Sequence, residues 1–394
     1  MSLHAEKWKC VVLTLINVLQ VQNKAELAVQ KFFREDPNPK DALIRLKSTF
    51  GIDSVRHPKF PNLVLLKYDQ RLSPLNEPIV QDCRGVIIDE QKNWEVVAMA
   101  FRRFFNYKEA GAAEIDWSTA LVQEKLDGSL LLLYPYAGGW HVATSGMPDG
   151  AGSTKIPKKT IADVFWETFR DSGMTLPSPD CETCFFFELT GPANKQTIDY
   201  GVSGLTVLGC RSLTTLEEAP PLAAAALLLC PSPDFVAKTY PFSSIQEMTA
   251  AFQQIDPTRH EGFVVVDARW NRVKAKHPGY VALRYAGSVD RLAEPRQLVS
   301  MTRSANGPEV LASFPHLADA IADAARRYDA LVAAVAADAT RLAGMTDGAA
   351  FAAEAGKTRW GRALEELRDG RAATAREAVD RMKLAQLVKL LGYE

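Results

Sequence analysis

The sequence of 394 residues lacks the features that mark several common protein classes. Its formal net charge is only −1, so composition does not indicate a nucleic-acid-binding protein, although it is compatible with a local basic groove. Its six cysteines are widely scattered, which predicts reduced intracellular thiols rather than a disulfide framework. Cys181 and Cys184 form a lone Cys-x-x-Cys pair, whereas a structural zinc site needs a second pair. We therefore expect neither a disulfide-rich secreted protein nor a zinc protein.

Long hydrophobic runs are also missing. The apolar run Cys10–Val21 follows Lys7 and Lys9, but it is too short to span a bilayer, and no small-residue cleavage site follows it. Apolar residues continue at helical spacing, which predicts an amphipathic helix over residues 6–35. We expect a cytoplasmic protein without a membrane segment.

The middle of the chain, from Phe60 to Lys276, is a series of short β-branched or aromatic runs. Only two helices are predicted between them, over Thr160–Asp171 and Ser243–Gln254. A doubly wound parallel fold needs a helix after almost every strand, so this spacing favours an α+β fold of antiparallel sheets with flanking helices. The alanine- and proline-rich segment Glu217–Asp234 is interpreted as an insertion or a long loop.

After Tyr280 the sequence becomes alanine-rich with helical periodicity. Helices are predicted over residues 316–345, around Thr358–Arg368 and over Thr374–Leu391. We expect one domain at 1–285, with a helical N-terminal extension, and an all-α domain at 286–394.

This helical region contains the phosphate-loop-like sequence Ala355-Gly356-Lys357-Thr358. However, Phe351 occupies the position of the first glycine of that motif, and no predicted strand precedes it. The sequence therefore does not predict a P-loop kinase activity.

Lys125 lies in the segment EKLDGSLLLLYPY, beside an Asp127-Gly128 turn and just before an apolar strand. A lysine is a nucleophile only when its amine is neutral, which requires desolvation or neighbouring positive charge. Gly128 would let a ligand approach the backbone closely. The alternative is an ordinary hairpin turn with an exposed lysine, and this segment alone leaves both interpretations open.

Several cations would suit a polyphosphate. Lys274 and Lys276 lie two residues apart in a predicted strand, so their ammonium groups face the same side and repel unless an anion lies between them. A solvated strand face is the alternative. Arg84 and Arg103 offer guanidinium groups for phosphate oxygens. Phe105 would stack on a base or fill the core.

Two acids lie at strand edges, Glu188 within FFFELTGPANK and Glu261 at the start of EGFVVVD. Such carboxylates are usually solvated strand ends. With phosphates nearby, however, their oxygens are the ligands that Mg²⁺ requires, because this ion binds few carboxylates together with phosphate oxygens.

In this order, these elements resemble the covalent nucleotidyltransferase superfamily, and most of all ATP-dependent RNA ligases of the bacteriophage RNA ligase 1 type. KLDG resembles the motif that carries the nucleotidylated lysine, here Lys125. CRGVIID resembles an upstream motif, which implies a triphosphate contact at Arg84. FRRFFNYKE is similar to the PFxKFFN element of the group, although Arg103 stands where a lysine is usual.

The later motifs follow in the same order. FFFELTGPANKQTIDY resembles the third motif, with Glu188 as its acid, and EGFVVVD the fourth, with Glu261 as a metal-binding or catalytic acid. VKAKHPGYVAL resembles the fifth, in which Lys274 and Lys276 hold phosphates. The segment 143–146, Ala-Thr-Ser-Gly, lacks the basic residue that the group usually carries there.

The resemblance implies an enzyme that joins RNA 5′-phosphate and 3′-hydroxyl ends through lysyl-AMP and RNA-adenylate intermediates, in RNA repair such as that of tRNA. It implies ATP and Mg²⁺ as cofactors, with Mn²⁺ as a substitute, tRNA-like or single-stranded RNA as substrate, and a monomer.

The implied catalytic residues are Lys125, Asp127, Glu188, Glu261, Lys274 and Lys276, with metal at Glu188 and Glu261. The implied nucleotide contacts are Arg84, Arg103, Phe105, Glu124, Lys125, Gly128, Glu188, Lys274 and Lys276. Asp127 would contact the lysine or the ribose.

Two other interpretations remain. An mRNA-capping enzyme or a DNA ligase normally carries a β-barrel after the fifth motif, whereas this chain becomes helical there. A non-catalytic nucleotide- or RNA-end-binding protein would have lost the lysine or the acids, and all of them are present.

Overall fold

The computed structural model describes residues 26–36, 38–304 and 306–393. Most of the predicted N-terminal helix, including Cys10–Val21, lies outside these residues. Its described end is helix α1, Ala28–Arg34, which stops ahead of Asp36. No helix in the described ranges is long and apolar enough to cross a membrane.

Three sheets make up the β structure of the described chain. An N-terminal sheet has the strand order β1-β2-β3-β4, formed by Ile52–Arg56, Leu63–Tyr68, Arg84–Asp89 and Glu95–Ala98. A lysine sheet has the order β12-β6-β13-β14-β5, formed by Thr239–Tyr240, Leu121–Lys125, Gly262–Val266, Arg272–Lys276 and Phe105–Asn106. A central sheet has the order β11-β10-β9-β7-β8, formed by Glu218–Ala219, Gly204–Ser212, Thr183–Thr190, Ser129–Tyr136 and Gly139–Thr144. Only β5 and β14 run parallel among these strands, which confirms the α+β prediction.

Helices flank these sheets. Those that precede Pro278 in the described chain are α1, α2 (Ala42–Phe50), α3 (Pro78–Asp82), α4 (Ile161–Ser172), α5 (Pro221–Leu227) and α6 (Ile245–Ala250). The two helices predicted between the strands are confirmed as α4 and α6, the latter extended by a 3-10 turn at Ala251–Gln254. Thr160 caps α4, because its hydroxyl accepts a hydrogen bond from the backbone N–H of Asp163.

The central sheet is buried on both faces, which explains the unbroken run of phenylalanines in β9. Phe185 and Phe187 pack with Phe165 of α4, whereas Phe186 faces the N-terminal sheet and packs with Ile87. Burying each such side chain contributes about 2–3 kcal/mol. The result is a rigid support for the residues at the ends of β7 and β9.

The lysine sheet, in contrast, packs an apolar cluster against one of its faces. Val122, Phe263 and Val273 pack into a cluster with Met248 of α6. Because side chains alternate along a strand, the residues between them face the other way. That second face carries Lys125, Lys274 and Lys276.

The prediction of a long loop at Glu217–Asp234 is wrong. The segment forms β11 and α5, and Ala224 of α5 is fully buried in the core of the central sheet. The alanines that looked like loop composition provide the small side chains with which the helix approaches β10.

The chain divides into two compact units between His277 and Pro278. The predicted domain boundary at 285/286 falls at the end of the first helix of the second unit. The helices of this unit are α7 (Pro278–Ala286), α8 (Pro295–Arg303), α9 (Gly307–Ser313), α10 (Ala318–Leu342), α11 (Gly348–Gly356), α12 (Gly361–Arg368), α13 (Ala375–Asp380) and α14 (Leu384–Leu390). They enclose a core of their own that includes Tyr328, Leu364 and Leu387. The helix predicted over Thr374–Leu391 is therefore two helices, α13 and α14.

Candidate active site

Lys125 lies at the end of β6 and forms an ion pair with Glu261. The Nζ atom of Lys125 is 3.0 Å from Oε2 of Glu261, and the Nζ atom of Lys276 is 3.0 Å from Oε1 of the same carboxylate. The side chain of Lys125 is 21% exposed, whereas those of Glu261 and Lys276 are 4% and 9% exposed. One buried carboxylate therefore bridges two ammonium groups, and Lys125 is the more accessible of them.

The register of the lysine sheet explains this arrangement. Gly262 of β13 is paired with Lys125 on one side and with Lys276 on the other. An ideal Cβ atom at Gly262 would lie 2.1 Å from the carbonyl oxygen of Ala275, and its φ of +149° also favours glycine. The absence of a side chain at Gly262 therefore lets the strands that carry the two lysines approach closely.

Glu188 lies in β9 of the central sheet. Loss of hydration raises the pKa of its carboxyl to about 7, the negative charge of Glu261 adds to this, and the positive charges of Lys125 and Arg84 oppose it. The backbone N–H of Gly128 also donates a hydrogen bond to it. Glu188 is thus electrostatically coupled to the Lys125–Glu261 pair, and a cation placed between the two acids would relieve their repulsion.

Arg84 and Lys274 meet at the ring of Phe104. The guanidinium carbon of Arg84 is 5.5 Å and the Nζ of Lys274 is 5.7 Å from the centre of this ring. The Nη1 atom of Arg84 is buried and has no hydrogen-bond partner in the described part of the chain. Burial lowers the pKa of this guanidinium, and the charges of Arg103 and Arg272 lower it further. Such a group would gain strongly from an anionic ligand.

The segment 143–146, which lacks a basic residue of its own, lies against Gly85. Gly85 has a φ of +86°, and a Cβ atom on it would be 2.7 Å from the Cα atom of Ser145. A Cβ atom on Gly146 would be 3.4 Å from the Nζ of Lys67, a residue of β2. The nearby ammonium group therefore comes from the N-terminal sheet.

The Lys125–Gly128 segment is not a hairpin. It connects β6 of the lysine sheet with β7 of the central sheet, so the hairpin interpretation is wrong. The close approach at Gly128 is made by the protein itself, because a Cβ atom there would lie 2.2 Å from the carbonyl oxygen of Leu189. The glycine lets the two sheets meet beside Lys125.

Asp127 supports this connection. Its carboxylate accepts hydrogen bonds from the backbone N–H groups of Thr197 and Ile198 at 2.8 and 2.7 Å, and its own N–H donates to the hydroxyl of Tyr200. The residue is 3% exposed. These contacts fix the turn that follows Lys125, and the expected contact of Asp127 with the lysine or a ribose stays a prediction.

Glu124 faces away from Lys125. It alternates with Lys125 along β6 and lies 3.8 Å from the ring of His260, on the side of the buried cluster. Burial raises the pKa of its carboxyl. The carboxylate of Glu124 thus lies on the opposite face of the sheet from Lys125, and its contact with nucleotide stays a prediction.

Arg103 and Phe105 form a separate group. The guanidinium carbon of Arg103 lies 4.2 Å from the ring centre of Phe105, and its Nη2 atom is 3.6 Å from Glu109. Both residues line a cavity of about 880 Å³ that also contains Arg272 and Glu218 on its wall. Lys125, Glu188 and Glu261 do not line it.

The carboxylates of Glu188 and Glu261 suit a metal ion that takes most of its ligands from phosphate groups and water. Within the described ranges, no three His, Cys, Asp or Glu residues form a group able to hold a metal ion. Glu188 and Glu261 are two acids beside a set of cations, which fits a divalent ion that binds phosphate oxygens and water as well. Cys184 is buried in the central sheet and Cys181 is exposed.

Sequence reasoning did not assign two residues of this region. Arg272 shares the alternation of Lys274 and Lys276, so the spacing in RVKAK was sufficient to find it. Glu218 accepts hydrogen bonds from both Arg211 and Arg272, which lie in different sheets. No local sequence pattern signals such a contact.

Comparison with known proteins identifies the family. A family model described as RNA ligase, of the T4 RNA ligase 1 type, matches residues 82–280, about half of the chain. Every site residue predicted from the sequence falls within this range.

A viral relative and two solved structures are also similar. The chain is 28% identical over 283 residues to a "putative bifunctional polynucleotide kinase/RNA ligase" of Autographa californica nuclear polyhedrosis virus. The match covers 66% of this chain and 38% of that protein, so the chain spans well under half of the relative.

An archaeal ATP-dependent RNA ligase is similar at 14% identity and a TM-score of 0.42, over 78% of this chain and 83% of that one. A "putative ATP-dependent DNA ligase from Aquifex aeolicus" is similar at 11% identity and a TM-score of 0.43, over 73% and 77%. The family match is the result that identifies this protein: the chain belongs to the RNA ligase family of the T4 RNA ligase 1 type.

Proposed function

We propose that this protein is an ATP-dependent RNA ligase that joins a 5′-phosphate to a 3′-hydroxyl, with Lys125 as the residue that carries AMP. The observation that supports this most directly is the bridge from Lys125 through Glu261 to Lys276, at 3.0 Å on each side. A half-buried lysine beside a buried carboxylate and further cations is suited to nucleophilic attack on phosphorus.

In the first step, Nζ of Lys125 forms a bond to the α-phosphorus of ATP, and the bond to pyrophosphate breaks. The amine must lose a proton, and Oε2 of Glu261 is an acceptor within hydrogen-bond distance. Lys274 and Lys276 lie on the same face and would neutralise negative charge that develops on the phosphate oxygens. Arg84 would hold the outer phosphates, since its buried Nη1 atom lacks a partner among the described residues.

Glu188 and Glu261 are the residues that would hold a divalent metal ion, Mg²⁺ with Mn²⁺ as a substitute. When bound, the ion would supply positive charge at the phosphate oxygens. Loss of hydration raises the pKa of the Glu188 carboxyl, and the positive charge of such an ion would oppose this shift.

The two later steps use the same cations. AMP passes from Lys125 to the 5′-phosphate of RNA, which restores the free lysine. A 3′-hydroxyl then attacks that phosphate, forms the phosphodiester and releases AMP.

The substrate is an RNA with these two ends, such as a broken tRNA, and the C-terminal domain at 286–394 would select it. We further propose that the protein acts as a cytoplasmic monomer.

The test uses the intact protein with α-labelled ATP, a divalent metal and an RNA that carries both ends. We expect labelled RNA-adenylate followed by a joined strand, and neither product when the 5′ end is a hydroxyl. Label from GTP in place of ATP would indicate a capping enzyme, and equal joining of DNA would indicate a DNA ligase. A protein that binds RNA ends without taking up label would be non-catalytic.

A further inference from the structure

Lys67 is an exposed lysine near the end of β2 to which no role has been assigned. Leu63 and Leu65 of the same strand belong to the core cluster between the N-terminal and central sheets. Because side chains alternate along a strand, Lys67 faces the same side as these two leucines. Its ammonium group forms no hydrogen bond or ion pair with any residue of the described ranges. It is therefore available to an anion.

A β-bulge brings Arg84 to the same side. Lys67 of β2 is paired with Arg84 of β3, and a register shift beside this pair leaves Gly85 as an extra residue in β3. The guanidinium carbon of Arg84 lies 5.2 Å from the ring centre of Phe101, which packs against the cluster between the two sheets. Like charges on paired residues repel each other. An anion bound between the two cations would remove this repulsion.

The loop after β8 leaves room for the side chain of Lys67. Segment 143–146 has no basic residue, and a Cβ atom on Gly146 would lie 3.4 Å from Nζ of Lys67. The same loop is packed on β3, because a Cβ atom on Gly85 would lie 2.7 Å from the Cα atom of Ser145. The ammonium group of Lys67 thus occupies the space beside position 146 that a larger side chain there would need.

The chemistry of the second step shows which anion would lie near Arg84. In a displacement at phosphorus, the entering and the departing groups lie on opposite sides of the phosphorus atom. Lys125 enters in the first step, opposite pyrophosphate, and departs in the second step, opposite the RNA. An oxygen of the RNA 5′-phosphate forms the new bond to the phosphorus of AMP while the bond to Nζ of Lys125 breaks. The amine takes up a proton, and Oε2 of Glu261 lies 3.0 Å from it.

The RNA phosphate must therefore occupy the side that pyrophosphate has left, where Arg84 would hold the outer phosphates of ATP. The other cations near this position are poorly accessible: the side chain of Lys276 is 9% exposed and is bound to Glu261, and Nη1 of Arg84 is buried. Lys67 is exposed. A phosphate at the end of an RNA strand approaches from solvent, so an exposed cation suits it better than a buried one.

We propose that Lys67 binds the 5′-phosphate of the RNA that receives AMP, beside Arg84 and against the backbone of Gly146. This inference rests on the proposed function. It assigns recognition of the RNA end to the N-terminal sheet, and it makes Lys67 a residue of the second step rather than of the first.

The first test measures binding by fluorescence anisotropy in the absence of ATP and metal. It uses two RNA oligonucleotides of one sequence, with a 5′-phosphate or a 5′-hydroxyl, and the unaltered protein should prefer the phosphate. Lys67→Ala should lower the affinity for the 5′-phosphate RNA roughly tenfold and leave that for the 5′-hydroxyl RNA unchanged. Lys67→Arg should retain the preference. Lys92→Ala, which removes an exposed lysine beyond the other end of β3, is the control and should change neither affinity.

The second test moves the charge to the neighbouring loop. Lys67→Ala combined with Gly146→Lys should regain most of the lost affinity, because Nζ of Lys67 is the atom that a side chain at position 146 would meet first. Labelling of the protein by α-labelled ATP should be the same in all these variants. The KM for 5′-phosphate RNA in the transfer of AMP should rise roughly tenfold in Lys67→Ala and fall again in the double variant.

Three results would overturn the inference. The unaltered protein could bind the two oligonucleotides equally well, or Lys67→Ala could change the affinity for both of them to the same extent. Loss of protein labelling in Lys67→Ala with unchanged RNA affinity would show that Lys67 binds ATP instead. If the unaltered protein takes up no label, the proposed function fails, and the comparison of the two oligonucleotides still decides whether Lys67 binds the 5′-phosphate.

Discussion

Glu188 should make stability depend on pH. Its carboxyl has a pKa of about 7 in the folded protein, against an ordinary value of 4.5, because it has lost hydration. Between these pH values the folded protein binds more protons than the unfolded chain, so the free energy of unfolding falls as pH rises through this window. We expect a loss on the order of 3 kcal/mol between pH 4.5 and 8, since one pKa unit corresponds to about 1.4 kcal/mol.

Urea denaturation of the protein without ATP or metal measures this effect. Glu188→Gln should remove most of the decrease in the free energy of unfolding with rising pH. Glu114→Gln, which alters an exposed carboxylate, should leave that decrease unchanged. An equal pH dependence in all three proteins would show that Glu188 is not the group responsible.

Gly128 should be intolerant of even one added methyl group. The carbonyl oxygen of Leu189 lies 2.2 Å from the position of a Cβ atom, and this backbone belongs to a strand buried on both faces. Gly128→Ala should lower the free energy of unfolding by about 2–4 kcal/mol. Gly139→Ala in β8 of the central sheet, where the nearest atom would be 3.7 Å away, should lower it by less than about 1 kcal/mol. Similar values for the two variants would contradict the steric explanation.

At the scale of elements, Glu218 connects two sheets. It lies in β11 of the central sheet and accepts hydrogen bonds from Arg211 of β10 and from Arg272 of β14. Removing its charge would leave two buried guanidinium groups without their partner. Glu218→Gln should therefore lower the free energy of unfolding by about 3–5 kcal/mol, and thermal denaturation measures the change. The neighbouring Glu217→Gln is the matched control, and an effect of the same size there would argue against the bridge.

Much of the fold follows from periodicity. The strands around Lys125, Glu188 and Lys274 were predicted because β-branched and aromatic runs are bounded by turn residues. The interpretation of Glu217–Asp234 failed because an alanine-rich helix of seven residues shows little periodicity of its own, and its helical state depends on packing against β10. Short strands such as Phe105–Asn106 and Thr239–Tyr240 were missed because pairing partners define them.

The site was predictable to a similar degree. Spacing placed Lys274 and Lys276 on one face, and the resemblance to the family supplied the order of the motifs. The bridge through Glu261 depends on Gly262 lying between two lysines of neighbouring strands, which no single segment encodes. Likewise, the contacts of Asp127 with Thr197 and Ile198 join residues that are about seventy positions apart.

At the scale of the whole molecule, the two compact units predict a division of labour. All the predicted site residues precede Pro278, and the second unit has its own core. Deleting the residues after Arg291 should leave labelling of Lys125 intact while changing which RNA is joined. The measurement compares protein labelling with joining of a broken tRNA and of a linear oligonucleotide. Loss of protein labelling in the truncated chain would refute this division.

The most direct test of the central claim is the uptake of label from α-labelled ATP by the protein alone, in the presence of Mg²⁺. Lys125→Ala should abolish the labelled species, because the other amine that Glu261 binds, that of Lys276, is the less accessible of the two. Lys47→Ala, which removes an exposed lysine paired with Asp53, should label like the unaltered protein. Absence of label on the unaltered protein, or undiminished label on Lys125→Ala, would contradict the account.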